Sequence, residues 1–185
     1  MGKIILITGG VRSGKSAYAE TLAAESGENV LYLATALPID TEMKERIVRH
    51  REHRPSRWQT VEAYRDLDRV IQENTAGTSA IILDCVTVML NNLIFDKAVD
   101  WDTADFQIIA QMENEIRQEF QKLIISGAKL NIPVILVTNE LGLGITPQNR
   151  LSRAFLDIHG RVNQMLAEAA EAVYLCVAGL HLKIK

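Results

Sequence analysis

Residues 9–16, Gly9-Gly10-Val11-Arg12-Ser13-Gly14-Lys15-Ser16, fit the pattern G-x-x-x-x-G-K-[ST] at every position. Glycines permit a tight turn and let the backbone approach phosphate closely. The amides of such a loop, at the start of a helix, face an anion. Lys15 is expected to reach the β and γ phosphates of a nucleotide, and the Ser16 hydroxyl to ligate Mg²⁺. The competing reading is a chance match in an ordinary strand–turn–helix. The context favours phosphate, because "KIILIT" before the loop reads as a strand and "SAYAETLAAES" after it as a helix. Asp84 closes the apolar run "AIIL", where a carboxylate can hold Mg²⁺ through water. Its alternative role is to cap the segment that follows.

A second set of residues lies thirty positions on. Arg46, Arg49, His50, Arg51, His53, Arg54 and Arg57 crowd into twelve positions with Glu52 as the one acid, in a chain of net charge −3. A solvated helix face is the plain reading of such a run. A nucleic-acid surface is disfavoured by the few aromatics and the absence of a known binding module. A third reading links the run to the loop. Arginine forks can grip a triphosphate, and a neutral imidazole can attack phosphorus near pH 7. His50 and His53 share a helical face, so spacing alone does not choose between them. A metal pair is the weakest reading, since no further ligands accompany them.

These residues need a frame to hold them. The chain has 185 residues, 48% of them hydrophobic and 23% charged. That suits one domain over 1–185 with a sizeable core. Cys85 and Cys176 are the only cysteines, so neither a disulfide framework nor a Cys-x-x-Cys pair is available. No apolar run approaches a membrane span, and the chain enters a strand without signal-peptide architecture. The expected location is the cytoplasm. "KIILIT", "NVLYLAT", "SAIILDC" and "IPVILVTNE" read as buried parallel strands, with "RWQTVEA" as a short one and "AVYLCVAG" and "LHLKIK" closing the chain. "TEMKERIVRHREH" reads as a helix with Thr41 as N-cap, ended by Pro55. Asp66 to Glu73 reads as a short helix. A long amphipathic helix is expected from Asp102, with the stripe Ile109, Met112, Ile116, Phe120 and Leu123. Another is expected over 149–170. Strands alternating with helices imply a mostly parallel, doubly wound α/β sheet of the P-loop NTPase kind. The loops after residues 8, 34, 84 and 138 should then meet on one rim. "TNEL" at 138–141 is not the N-K-x-D of a guanine-reading switch, so a small-molecule kinase suits the chain better. Asn139 and Glu140 are candidates for substrate binding or proton removal, or a plain loop cap. His159 and His181 read as structural.

"ILITGGVRSGKS", "LYLAT", "RIVRHREHRP", "ILDCVTVMLNNLIF", "VTNELGLGITPQNRLSRAFLDIHGRVNQ" and "AGLHLKIK" together resemble the bifunctional adenosylcobinamide kinase / adenosylcobinamide-phosphate guanylyltransferase family. The resemblance spans essentially the whole chain in the right order. It implies a RecA-like fold and a homotrimer. It implies phosphorylation of the aminopropanol hydroxyl of adenosylcobinamide by ATP or GTP. It further implies transfer of GMP from GTP, through a histidine, to the new phosphate, with Mg²⁺ as cofactor. Carried over by position, Gly9 to Ser16 hold phosphates, and Ala34, Thr35 and Ala36 form a second nucleotide-contacting loop. His50 is the guanylylated residue, with Lys15 the other catalytic group. Arg51, Glu52, His53 and Arg54 follow it at the nucleotide, and Glu62 and Asp84 complete the site. Ser16 and Asp84 are the metal positions. A plain P-loop kinase without a covalent nucleotide intermediate is the alternative, and a nucleotide-gated binding module is a non-enzymatic one.

Overall fold

The computed structural model describes residues 3–38, 41–52, 54–101 and 103–185, and at 42, 43, 46, 49, 50 and 52 it describes the backbone alone. The elements run β1 (Ile4–Gly9), α1 (Lys15–Ser26), β2 (Val30–Ala34), α2 (Thr41–Glu52), β3 (Gln59–Glu62), α3 (Leu67–Asn74), β4 (Ala80–Asp84), α4 (Val86–Phe95), α5 (Phe106–Ala128), β5 (Val134–Val137), α6 (Arg150–Ala169), β6 (Ala172–Val177) and β7 (Leu180–Lys183). Among the described residues the strands form one sheet in the order β3-β2-β4-β5-β1-β6-β7. All neighbours pair in parallel except β6 and β7, which are antiparallel. The fold is therefore the mostly parallel α/β sheet that the alternation of elements implied. In this order β5 stands between the strand that feeds the phosphate loop and the strand that ends in Asp84.

Side chains of a strand alternate between faces, and the core divides accordingly. Leu6, Leu31, Leu33, Ile81, Leu83, Val134 and Leu136 pack on one face with α3, α4, α5 and α6. Ile7, Val30, Tyr32, Ile82, Ile135 and Val137 pack on the other with Ala19 and Ala23 of α1. Both faces of the central strands are covered, which is why their sequences read as unbroken apolar runs.

The helices differ in detail from their sequence signals. The stripe Met112, Ile116, Phe120 and Leu123 of α5 is buried as its period implied, with Ile109 half-buried against the same core. The helix begins at Phe106 rather than Asp102, behind Asp105 as N-cap. Asn149 caps α6, its side chain accepting from the Ser152 amide at 2.7 Å. Thr41 is already the first residue of α2, not its cap. Helix α4 had no amphipathic stripe to announce it. "VTVMLNNLIF" is apolar nearly all round, because six of its ten residues are buried.

Candidate functional site

The carboxyl ends of β1, β2, β4 and β5 meet on one rim, and backbone bonds tie them together. Thr35 N–H donates to the Asp84 carbonyl at 3.2 Å, Thr138 N–H to Ile7 at 2.9 Å, and Glu140 N–H to Gly9 at 3.0 Å. The phosphate loop sits at the centre. Gly9 has φ +149°, and a Cβ there would lie 2.2 Å from the Cys176 carbonyl oxygen. No other residue type fits that position without moving β6. Gly14, at φ +95°, backs onto Gly179, whose amide donates to the Ser13 carbonyl at 3.0 Å. The turn between β6 and β7 thus buttresses the loop from outside.

Within the loop Val11 and Arg12 are exposed, and Lys15 is buried to 8% exposure. The Lys15 ammonium reaches back across the loop to the Gly10 carbonyl at 2.6 Å. Burial lowers its pKa below the ordinary lysine value, against the raising pull of Cys85, Asp84 and Cys176. The hydroxyls of Thr8 and Ser13 are buried with no hydrogen-bond partner among the described residues. Buried hydroxyls without partners are costly, and these two stand beside Lys15 and the glycine amides as donors of the kind that anion oxygens satisfy.

Asp84 is not the cap of α4. Cys85 holds that position, and no side chain caps the helix. Instead Asp84 Oδ2 accepts a 2.7 Å hydrogen bond from the Tyr32 hydroxyl. Tyr32 is wholly buried, and burial together with the neighbouring Asp84 carboxylate raises its phenol pKa far above the ordinary value. Desolvation and the same carboxylate push the half-buried Cys85 thiol up to about 11, so it is a thiol and not a nucleophilic thiolate. Ser16 and Asp84 are both half-buried at this rim. Their oxygens are the hard donors that Mg²⁺ takes, and a Mg²⁺ that keeps phosphate and water ligands needs few from protein.

Ala34 and Ala36 are half-buried at the end of β2, and Thr35 is buried. Thr35 is a clip between two rim loops. Its hydroxyl donates to the Cys85 carbonyl at 2.9 Å and accepts from the Cys85 amide at 2.8 Å. Its own carbonyl accepts from Asn92 of α4.

The basic segment approaches this rim from β2's side. The Arg54 guanidinium lies over the Tyr32 ring at 3.5 Å, a cation–π contact. Its Nε is buried with no hydrogen-bond partner. Arg51 pairs with Glu62 at 3.3 Å in an exposed salt bridge, of the kind worth about 0–1 kcal/mol. His50 and Glu52 lie on the backbone of α2, and His53 lies outside the described residues. So the structure joins Arg54, Tyr32 and Asp84 in one row. It brings the phosphate loop, Asp84, Thr35, Asn139 and Glu140 to one rim. Tyr32 was invisible in the sequence as a site residue, because "NVLYLAT" announces only a strand.

Histidine 159, read as structural, is 2% exposed. Its Nε2 is 3.1 Å from Thr87 Oγ1 and 3.4 Å from Thr138 Oγ1. Burial lowers its pKa to about 4, with Glu140 pulling the other way. His181 is exposed and stacks on Tyr18 of α1 at 3.8 Å.

The family model described as cobinamide kinase / cobinamide phosphate guanyltransferase matches residues 5–184. Over 182 residues the chain is 47% identical to the bifunctional adenosylcobalamin biosynthesis protein CobU of Escherichia coli, covering 98% of this chain and 99% of that protein. It is also 47% identical over 182 residues to CobU of Salmonella typhimurium. The bifunctional adenosylcobalamin biosynthesis protein CobP of Pseudomonas aeruginosa is 38% identical over 180 residues, covering 97% of this chain and 96% of that protein. Among solved structures, the RadB recombinase aligns with a TM-score of 0.49 at 17% identity, over 94% of this chain and 74% of that one.

Proposed function

The chain belongs to the cobinamide kinase / cobinamide phosphate guanyltransferase family, and we propose from that membership how its rim works. The protein is a bifunctional enzyme of adenosylcobalamin biosynthesis. It phosphorylates the aminopropanol hydroxyl of adenosylcobinamide with ATP or GTP, then transfers GMP from GTP to that phosphate. The observation that carries this reading is the family match over 5–184, in a chain whose Gly9–Ser16 loop has the geometry of an anion cradle.

In the first reaction the substrate hydroxyl oxygen attacks the γ phosphorus. A new P–O bond forms, the β,γ bridging P–O bond breaks, and the nucleoside diphosphate leaves with the electron pair. Lys15 and the loop amides hold the β and γ oxygens, where negative charge builds in the transition state. Ser16 and Asp84 would hold Mg²⁺, which when bound would neutralise phosphate charge.

In the second reaction His50 is the carrier. A neutral ring nitrogen attacks the α phosphorus of GTP, a P–N bond forms, and pyrophosphate leaves. An oxygen of the cobinamide phosphate then attacks the same phosphorus and the P–N bond breaks, giving adenosylcobinamide-GDP. Arg51 and Arg54 neutralise the triphosphate and the departing pyrophosphate. His53, Glu52, Glu62 and the Ala34–Ala36 loop are nucleotide contacts in the same reading. We extend the family resemblance to a cytoplasmic homotrimer, which sedimentation of the purified protein would test.

The deciding experiment incubates the folded protein with GTP, Mg²⁺ and adenosylcobinamide and weighs the corrinoid products. A phosphate adduct followed by a GDP adduct is expected. Neither adduct from active, folded protein would overturn the reading.

A further inference from the structure

Strand β5 ends between β1 and β4, so the residues after it stand between the phosphate loop and Asp84. Three consecutive residues there are pinned. Thr138 Oγ1 donates to Asn163 Oδ1 at 2.8 Å. The Asn139 amide donates to Thr87 Oγ1 at 3.0 Å, and its carbonyl accepts from Asn163 Nδ2 at 3.0 Å. The Glu140 amide donates to Gly9, the first residue of the loop. Thr87 comes from α4 and Asn163 from α6, so two helices clamp the backbone of one rim residue. With His159 neutral and Nε2 as acceptor, the donors and acceptors close: Thr87 gives its proton to His159 and receives the Asn139 amide.

Rim loops of a parallel sheet are ordinarily its mobile parts. A buried polar network that fixes one of them is costly unless complete, and it has the form of a support for a reacting group. It fixes the backbone that carries Glu140, whose Oε1 accepts from the Gly142 amide at 2.7 Å and keeps its other oxygen for a proton. The other rim carboxylates already have roles on the nucleotide side, since Asp84 accepts from Tyr32 and Glu62 pairs with Arg51. A second observation points the same way. Ile145 and Leu143, at 96% and 89% exposure, are the most exposed large hydrophobics among the described residues. They follow Glu140 by five and three positions. An exposed apolar pair beside a phosphate-transfer rim suits a large acceptor with an apolar surface, as a corrin ring is.

We infer that residues 138–145 form the acceptor-substrate half of the kinase site. Glu140 takes the proton of the substrate hydroxyl as its oxygen bonds to the γ phosphorus, and Leu143 and Ile145 contact the apolar face of the corrinoid. Thr87, Asn163 and His159 are positioning residues that hold Glu140 beside Gly9. This inference rests on the proposed kinase activity.

The test compares two rates for each protein: phosphorylation of adenosylcobinamide by ATP, and GMP labelling of the enzyme from GTP without corrinoid. Glu140→Gln should lower kcat of phosphorylation by about 10²-fold, the usual share of a general base. Thr87→Val and Asn163→Leu should lower the same kcat by about tenfold through a misplaced base, while labelling stays within about twofold of wild type. Thr87→Ser, which keeps the hydroxyl, should restore phosphorylation. Leu143→Ser with Ile145→Ser should raise KM for adenosylcobinamide several-fold and leave KM for ATP alone. Near wild-type phosphorylation in Glu140→Gln would overturn the inference while the kinase activity stood. Parallel loss of both rates in Thr87→Val and Asn163→Leu, without rescue by Thr87→Ser, would reduce the clamp to a structural role and overturn it too. A wild type that labels with GMP but never phosphorylates cobinamide would bring down the kinase reading and this inference with it.

Discussion

The Tyr32 hydroxyl donates to Asp84 Oδ2 at 2.7 Å, while the Tyr32 ring carries Arg54 on its face. One buried side chain thus touches both the expected metal carboxylate and the basic segment. Tyr32→Phe keeps the ring for Arg54 and removes the donor from Asp84. The variant should be less stable by about 1.5–3 kcal/mol, the usual net worth of a hydrogen bond to a charged group. It should also shift the Mg²⁺ titration of phosphorylation, and Asp84→Asn should shift it further. Binding of Mn²⁺ in the presence of nucleotide, followed by its magnetic resonance signal, reads the same shift without turnover. Unchanged titrations in both variants would remove Asp84 from the metal site.

Lys15→Ala should depress phosphorylation and guanylyl transfer alike. The ammonium already lies across the loop at Gly10, 2.6 Å from its carbonyl, within the cradle that would hold the phosphates. A cation aimed at transition-state charge is commonly worth a few kcal/mol, so a loss of about 10²-fold or more is expected in both rates. Steady-state kinetics on the folded variant decide it, and turnover close to wild type would rule the role out.

His50 separates a two-step enzyme from a plain kinase. GTP labelled at the α phosphate should leave acid-labile, base-stable label on the wild type. His50→Asn, with no ring nitrogen to attack phosphorus, should lose the label and GMP transfer while still phosphorylating adenosylcobinamide. His53→Asn should keep the label. Label that survives in the first variant and vanishes in the second would move the carrier three residues along the chain.

His159 ties stability to pH. Its pKa is lowered from 6.5 to about 4, chiefly by burial, with Glu140 as the opposing charge. The folded protein therefore keeps it neutral in a range where the unfolded chain takes up a proton. Between these values the unfolded state binds more protons, so stability falls as pH drops from 6.5 towards 4 and levels off below. The loss should be roughly 3 kcal/mol. Urea melts of wild type and His159→Gln across this range isolate the effect from the carboxylates they share. Parallel pH profiles for the two proteins would contradict it.

What could be read from the sequence was what is local. Residues 9–16 carry their geometry in eight consecutive positions, and Asp84 declares itself by ending an apolar run. Strand and helix types followed from period and length, except for α4, whose all-round burial erased its stripe. The network around Asn139 was not legible, because Thr87 and Asn163 stand 52 and 24 positions away and nothing in either neighbourhood points to the other. Tyr32 was hidden for a related reason. In a strand buried on both faces a tyrosine looks like any other core residue, and only the fold shows its hydroxyl meeting a carboxylate. Basic residues 46–57 were conspicuous, and among their described side chains Arg54, over Tyr32, and Arg51, paired with Glu62, are tied to the rim by contacts that nothing in the sequence announces.

The turn after β6 presses against a loop some 165 positions before it in the chain. Gly179 bonds to Ser13, and the Cys176 carbonyl sits where any side chain at Gly9 would go. During synthesis the ribosome releases residues 9–16 long before it makes residues 176–179. Until residues 176–179 are made, the nascent chain therefore carries the phosphate-binding sequence without the wall that shapes it. Contacts this distant in sequence form late, after the entropy of closing the long intervening loop has been overcome. Nucleotide affinity should accordingly appear only once residues 176–179 have been made and can fold back, and a ribosome stalled before residue 176 should display a chain that binds GTP poorly.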